Sequence, residues 1–349
     1  MTGGAVRPSR WRRWSPWIGG AAGAAALIWI LLGIDYERFA AIVGSADIRF
    51  LALVPIAIAI EQLVRAWKWR QLLYPMRSAP TLGLFGAIMA GYLGNLIVPV
   101  GVAGPILRAW LAARRHDLKT SAVLATVVLD RLIDGVVFIG FVLTALLLLS
   151  VPNPGGDVRA GLGWAAAGSL VLFVVLLFAM AGYRVHAMRS TGWLAWAIAR
   201  LPRPLVEPTQ RLARSFAEGI VWPKDNWRRL GIILASVVIK LIAATHFLWA
   251  GLAIGVLLQP GDYIVLLVFL GFLHVLANVA RIAAGFTVGA VFALGLFGVS
   301  SEGALVMVLI VQGANLLTIA VMGAAALWLE GVALGELRAA GGEKRARCG

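Results

Sequence analysis

The stretch from Gly91 to Gly135, GYLGNLIVPVGVAGPILRAWLAARRHDLKTSAVLATVVLDRLIDG, decides the fold of this chain. It places an Asn, two prolines, several glycines and an Arg in apolar surroundings, and a charged cluster follows in the next apolar run. Such groups are costly inside a membrane, so they need partners or a polar cavity. The polar positions that matter most are Asn95, Arg108, Asp130, Arg131 and Asp134.

The composition of the whole chain explains why these surroundings should be a membrane. Of the 349 residues, 61% are hydrophobic and 13% charged, and the mean hydropathy is +0.89. No soluble globular class has these values, so we expect an all-α polytopic membrane protein. The net charge of +15 could suggest a nucleic-acid partner, but no compact basic domain is present to carry it. Positive charge that flanks membrane spans is the simpler explanation.

Metal, redox and nucleotide chemistry have no motif in the sequence. Cys348 is the single cysteine, which excludes an intramolecular disulfide and a CxxC motif. The four histidines include no HExxH pair, and no GxxxxGK[ST] loop occurs. We therefore expect no metal, no cofactor and no direct use of ATP.

Apolar runs with basic flanks predict six full spans, with the N-terminus and the C-terminus on the cytoplasmic side. Arg65, Lys68, Arg70 and Arg77 follow the second run without an acid among them and mark its cytoplasmic end. The predicted spans are residues 17–33, 50–64, 120–150, 161–182, 230–258 and 305–329.

Two further apolar regions do not read as ordinary spans. Residues 82–113 have cytoplasmic flanks, and the limb after Pro99 reaches Arg108 within about nine residues, far fewer than the roughly 20 that a span needs. This region is most simply a re-entrant hairpin. Residues 263–298 have flanks without basic residues, and they could form a second hairpin or two thin spans.

The distribution of basic residues supports this orientation. Of the 31 Lys and Arg residues, three lie in predicted external loops and three within membrane elements, which leaves 25 on the cytoplasmic side. The external ones are Arg38, Arg49 and Arg159, and the membrane ones are Arg131, Lys240 and Arg281.

The two halves of the chain have the same order of elements: span, span, hairpin, span. Residues 17–150 form the first predicted repeat and residues 161–330 the second, separated by an external loop over 151–160. Each repeat has an odd number of full spans, so the second is inverted, an architecture associated with alternating access.

Polar segments complete the predicted domain organisation. The cytoplasmic parts are a basic tail over 1–16, a basic insertion over 184–229 and a tail over 331–349. The insertion contains the pattern of an amphipathic helix, which could lie on the anionic inner leaflet or form a solvated linker.

Several of these residues resemble those of a known family. The resemblance rests on Arg65 and Trp69 with Leu72-Leu73, on Asn95 with Pro99, on the step from Gly104 to Arg108, and on the run from Asp130 to Asp134. In these features the chain resembles the transmembrane-domain family of lysylphosphatidylglycerol synthases, over roughly residues 17–330. The resemblance implies an eight-segment helical body with re-entrant elements that moves lipid between leaflets.

The chain also departs from the pattern of that family. Where relatives commonly have Gly-Glu ahead of the Arg, this chain has Gly104-Pro105, and its second-half turn, IAAGFTVGAVF, has no acid. We also expect no soluble aminoacyltransferase domain of the kind found in the two-part synthases. We therefore expect no lipid aminoacylation and no enzymatic activity.

Each candidate site residue has a structural and a functional interpretation. Asp130, Arg131 and Asp134 could lock a helix to its neighbour, or Arg131 could bind a lipid phosphate while a carboxylate balances charge. Lys240 could be the counter-ion of either carboxylate. Arg108 could snorkel to the interface or bind a headgroup. The residues expected along the translocation path are Arg108, Arg131, Asp130, Asp134, Asn95, Asn278, Arg281 and Lys240.

The sequence thus predicts a lipid translocase in a bacterial inner membrane, whose partners are anionic or aminoacylated phospholipids or a polyprenyl or hopanoid lipid. A small-solute transporter is one alternative. Another is a non-transporting accessory that docks a lipid-biosynthesis enzyme. A membrane-embedded transferase ranks last, because only Asp130 and Asp134 could supply its acid–base pair. The oligomeric state is left open.

Overall fold

The computed structural model describes residues 25–97, 103–152, 157–189, 192–280 and 284–329. Within these ranges the chain consists of α-helices joined by short turns, and it has no strand. The predicted all-α class is confirmed.

The helices of the described ranges are numbered in chain order, six in the first half and seven in the second. The first half contains α1 (residues 25–32), α2 (Tyr36–Gly44), α3 (Ile48–Leu73), α4 (Thr81–Ile97), α5 (Ala103–His116) and α6 (Thr120–Leu148). The second contains α7 (Asp157–Arg189), α8 (Gly192–Ala199), α9 (Arg203–Gly219), α10 (Asn226–Ala253), α11 (Pro260–Ala280), α12 (Gly285–Gly295) and α13 (Ser301–Leu329).

Five helices of the described chain, α3, α6, α7, α10 and α13, are long and apolar enough to cross a membrane. The shortest, α3, has 26 residues and a length of about 39 Å, more than the roughly 30 Å of a hydrocarbon core. These helices coincide with the predicted second to sixth spans. The second span is longer than predicted, because α3 continues from residue 64 to Leu73. Of the predicted first span, residues 17–24 lie outside the described ranges.

Each predicted hairpin region contains two helices that pack against each other. In the first region α4 packs against α5, and in the second α11 packs against α12. Helix α12 has 11 residues and is about 16 Å long, so it is too short to cross a bilayer.

The chain forms two compact units, and each takes residues from both predicted repeats. The first unit comprises Met1–Val54, Phe141–Trp164 and Ala243–Gly313. The second comprises Pro55–Gly140, Ala165–Ile242 and Ala314–Gly349.

Backbone and side-chain hydrogen bonds connect the helices of the first unit. The backbone N–H of Asp47 donates to the carbonyl of Ala253 at 2.8 Å. The Gln312 side-chain amide donates to the Thr287 hydroxyl at 3.0 Å, which ties α12 to α13. Both of these hydrogen bonds join neutral groups.

The second unit has an apolar core built from α3, α4, α5, α6, α10 and the end of α13. Its largest fully buried side chains include Trp69, Leu72, Leu84, Ile88 and Ile232. Helix α7 differs, because most of its large apolar side chains are exposed, as expected of a helix that faces lipid. Charged side chains are embedded in the core of this unit, and they form the candidate site.

Candidate functional site

Helix α3 presents a charged stripe to the interior of the second unit. Glu61, Arg65 and Lys68 are separated by four and three residues, a spacing that places them on one face of a helix. Their exposed fractions are 7%, 6% and 0%, so all three are buried. The Arg65 guanidinium donates to the Glu61 carboxylate at 2.8 Å along this face.

Helix α6 supplies the opposite charges. Asp130 and Asp134 are four residues apart and therefore share a face. The Lys68 ammonium lies 2.7 Å from Asp130 Oδ1 and 2.5 Å from Asp134 Oδ1. Arg65 Nη1 lies 3.0 Å from Asp134 Oδ2, so two cations of α3 hold the second carboxylate.

Helix α5 adds a third cation. Arg108 is 3% exposed, and its Nη2 donates to Asp130 Oδ2 at 3.2 Å. Its guanidinium lies over the Trp69 ring, 4.8 Å from the centroid, and the indole N–H donates to the Thr126 hydroxyl at 2.9 Å. Among the described residues, Arg108 Nε has no hydrogen-bond partner.

Together these contacts form the buried ion network, consisting of Glu61, Arg65, Lys68, Arg108, Asp130 and Asp134. With all six groups ionised, the formal charges cancel. Helix α10 contributes the Ser236 hydroxyl, which accepts from Lys68 at 3.2 Å. Loss of one member leaves a buried charge unpaired, which typically costs about 3–5 kcal/mol. The network therefore locks α3, α5 and α6 to one another.

Arg131 stands outside this neutral network, although it is the neighbour of Asp130. Its side chain is exposed, and its Nη2 donates to the Tyr92 hydroxyl of α4 at 3.4 Å. The Tyr92 hydroxyl also lies within electrostatic range of Arg65 and Arg108. Arg131 therefore adds positive charge that the network carboxylates do not neutralise. This arrangement can bind an anion.

The predicted turn region has a structural cap. The Asn95 side-chain carbonyl accepts from the backbone N–H of Gly104 at 2.6 Å, connecting the end of α4 to the start of α5. The two helices also approach closely: a Cβ atom at Gly91 would lie 2.8 Å from the Gly104 carbonyl oxygen. Asn95 thus supplies an acceptor at the start of α5.

The structure brings four of the eight predicted site residues together. Arg108, Asp130 and Asp134 belong to the buried ion network, and Arg131 lies beside it with an exposed side chain. Lys240 is not the main counter-ion of the carboxylates, since Lys68, Arg65 and Arg108 hold that place. The Lys240 ammonium lies over the Phe138 ring, 5.4 Å from its centroid.

The last two predicted residues, Asn278 and Arg281, also belong to the second half. Asn278 lies in α11, but its side chain is outside the described part of the chain. Arg281 lies outside the described residues.

Several residues of the site were not identified from sequence. Arg65 and Lys68, expected as cytoplasmic charges, are buried in α3 and form ion pairs with α6. A signal did exist, because the i, i+4, i+7 spacing of Glu61, Arg65 and Lys68 matches a single helix face. The contact of Tyr92 with Arg131 had no such local signal.

Comparisons with known proteins identify the family. The family model described as the lysylphosphatidylglycerol synthase TM region matches residues 17–323. No curated protein and no solved structure matches the chain. The match covers most of the chain, including all residues of the buried ion network. The chain is therefore a multi-pass membrane protein that belongs to the family of the lysylphosphatidylglycerol synthase transmembrane region.

Proposed function

We propose that this protein moves an anionic lipid between the leaflets of a bacterial inner membrane, as a flippase-like translocase. The observation that carries the proposal is the position of Arg131. It is the twelfth residue of the 29-residue α6, near the middle of a membrane-length helix, yet its side chain is exposed. A cation at such a depth is costly unless an anion or water meets it.

A lipid phosphate suits the surroundings of Arg131. The guanidinium presents several N–H donors in a fork that matches phosphate oxygens, and the Tyr92 hydroxyl can donate to the same group. The neighbouring network is neutral as a set, so the charge of Arg131 remains available to a ligand. Acyl chains would stay in the bilayer while the headgroup passes this point.

The charges also favour one substrate class. The acidic side chains on the helices α3, α4, α5 and α6 themselves are Glu61, Asp130 and Asp134, and all three hold cations of the protein. An aminoacylated headgroup brings an ammonium group that would need its own carboxylate. A headgroup with a phosphodiester and no amine therefore fits better than an aminoacylated one.

The mechanism in this proposal is alternating access. Helices α4 and α5 form a re-entrant hairpin that opens toward the cytoplasm, and α11 and α12 form its inverted counterpart. The buried ion network keeps α3, α5 and α6 together while the headgroup exchanges between leaflets beside Arg131. Asn95 supports this path by holding the start of α5 in place.

Leaflet-resolved transfer in proteoliposomes tests the proposal. A fluorescent phosphatidylglycerol and a fluorescent lysyl-phosphatidylglycerol are followed by quenching from outside, with the wild type, Arg131→Gln and Asp134→Asn. We expect transfer of the phosphatidylglycerol, at least about tenfold slower with Arg131→Gln because one charge-assisted contact is lost. Arg211→Gln is the control, since its side chain is 78% exposed and pairs with Glu207 on the surface.

Two outcomes contradict this proposal. Equal transfer by wild type and Arg131→Gln would remove Arg131 from the path. Preferential transfer of the lysyl lipid would overturn the substrate class. The Asp134→Asn variant is interpreted only where its thermal unfolding shows a folded protein, because Asp134 belongs to the buried ion network.

A further inference from the structure

A second polar site lies on the other side of α3. A cavity of about 380 Å³ forms there against the start of α10. At 100° per residue, Arg70 lies about 180° around the helix from Glu61, so this cation of the cavity is on the opposite side of α3 from the buried ion network. We name it the α3–α10 pocket, and its lining residues are Trp67, Arg70, Gln71, Asp225, Trp227 and Arg228.

One cation of the pocket is held firmly in position. Arg228 donates from Nη1 to Gln71 Oε1 at 2.6 Å and from Nε to Asp225 Oδ2 at 3.0 Å. Its guanidinium also lies over the Tyr74 ring, 3.4 Å from the centroid. In the described part of the chain no hydrogen bond uses Nη2 of this guanidinium group. It lines the cavity in a fixed position, which is the preorganisation that anion binding requires.

The second cation lacks an acceptor. Arg70 Nε is buried and has no hydrogen-bond partner among the described residues. Two guanidinium groups face the pocket and one carboxylate, Asp225, balances one of them, so the lining carries a surplus positive charge. An anion with several acceptor oxygens would satisfy both the charge and the donor.

The surroundings indicate that this anion belongs to a lipid. Trp67 and Trp227 line the pocket and are 39% and 78% exposed. Tryptophan is enriched where membrane hydrocarbon meets water, and both helices have membrane length. Arg70 is the fourth residue from the end of α3 and Arg228 the third of α10, so the pocket lies at the ends of two spans.

We propose that the α3–α10 pocket binds the phosphate of an anionic phospholipid of the cytoplasmic leaflet, which stays bound as a resident lipid. Arg70 and Arg228 bind the phosphate oxygens, and the two tryptophans contact the glycerol region and the first methylenes. The site is separate from the Arg131 region, and the proposal does not require that the protein transports lipid.

Calorimetric titration of the purified full chain in detergent tests this site. All variants carry Arg131→Gln, so that the other anion-binding region does not contribute. The ligands are dioctanoyl-phosphatidylglycerol, dioctanoyl-phosphatidylcholine and inorganic phosphate. We expect saturable binding of the phosphatidylglycerol, and about tenfold weaker binding when Arg70→Gln removes one charge-assisted contact.

Arg77→Gln is the matched control, because it removes the same charge from an exposed position just after α3. It should leave the affinity unchanged. Arg228→Gln gives a second measurement, although it also removes contacts between α3 and α10. Equal affinity in Arg70→Gln and the control would overturn the proposal. Equal binding of inorganic phosphate and the lipid would contradict a lipid ligand.

Discussion

Lys68 and Asp130 form an ion pair in which both side chains are completely buried, with 2.7 Å between Nζ and Oδ1. The same ammonium group reaches Asp134 at 2.5 Å, so one lysine of α3 joins two carboxylates of α6. Interior charges of this kind contribute little net stability as a set, but the loss of a single one is severe.

We predict that Lys68→Met lowers the free energy of unfolding by about 3–5 kcal/mol, because two buried carboxylates lose their shared cation. Asp130→Asn should also destabilise the protein. The double variant should be more stable than the sum of the two single effects predicts, since it removes one charge of each sign and Asn can still accept from Arg108. Thermal unfolding in detergent measures all four proteins.

The control for this cycle is the exposed pair of Lys119 and Glu218, whose side chains are 64% and 44% exposed. Solvent and salt screen such a pair, so Lys119→Met should change stability by less than about 1 kcal/mol. A double variant of Lys68 and Asp130 that is merely additive would contradict the proposed coupling.

The cap on α5 gives a prediction for amide exchange. Asn95→Ala removes the acceptor of the Gly104 N–H and should reduce stability by about 1 kcal/mol. Peptides that contain the first turn of α5 should then exchange amide hydrogen faster, as measured by mass spectrometry. Asn95→Asp keeps an acceptor oxygen at a helix N-terminus and should exchange more slowly than the Ala variant. Identical exchange in Asn95→Ala and wild type would disprove the cap.

The close approach of α4 and α5 predicts that two glycine substitutions, one at this contact and one away from it, have different effects. A Cβ atom at Gly104 would clash with the Gly91 carbonyl and the Asn95 side chain, so Gly104→Ala should lower the unfolding temperature. A Cβ atom at Gly140 of α6 would have no described neighbour within 4 Å. Gly140→Ala should therefore leave stability unchanged or raise it by up to about 1 kcal/mol. Comparable losses in both variants would show that close helix packing is not the cause.

The orientation in the membrane can be tested with the single native cysteine. Cys348 lies in the predicted cytoplasmic tail, so an impermeant maleimide should label it only after cells are permeabilised. In a Cys348→Ser background, Ser45→Cys places the label in a predicted external segment, at an exposed position after α2. That variant should react in intact cells. Labelling of both sites from the same side would refute the predicted topology.

Apolar length was sufficient to predict most of the membrane helices. Helices α6 and α13 coincide with predicted spans because each is a long apolar run with polar flanks. The end of α3 was missed for an identifiable reason: Arg65 and Lys68 have the character of solvated basic flanks. Their burial depends on carboxylates more than 60 residues away, and no local pattern reports such a partner.

The site shows the same division between local and long-range information. The grouping of Asp130, Arg131 and Asp134 on about one helical turn was evident from the sequence. Which of these charges is buried and which is exposed depends on the neighbouring helices. The structure pairs both carboxylates with α3 and leaves Arg131 beside Tyr92, an outcome that tertiary packing alone determines.

The division of charge between α3 and α6 has a consequence for how the protein is made. Three members of the buried ion network belong to α3 and two belong to α6. A charged side chain at the centre of a span opposes insertion by about 2.5–3.5 kcal/mol on translocon scales. Arg65 can pair with Glu61 within α3, but Lys68 finds its carboxylate partners only when α6 has been synthesised, because Asp134 follows Lys68 by 66 residues. Stable integration of α3 into the bilayer is thus coupled to the later emergence of α6 from the ribosome.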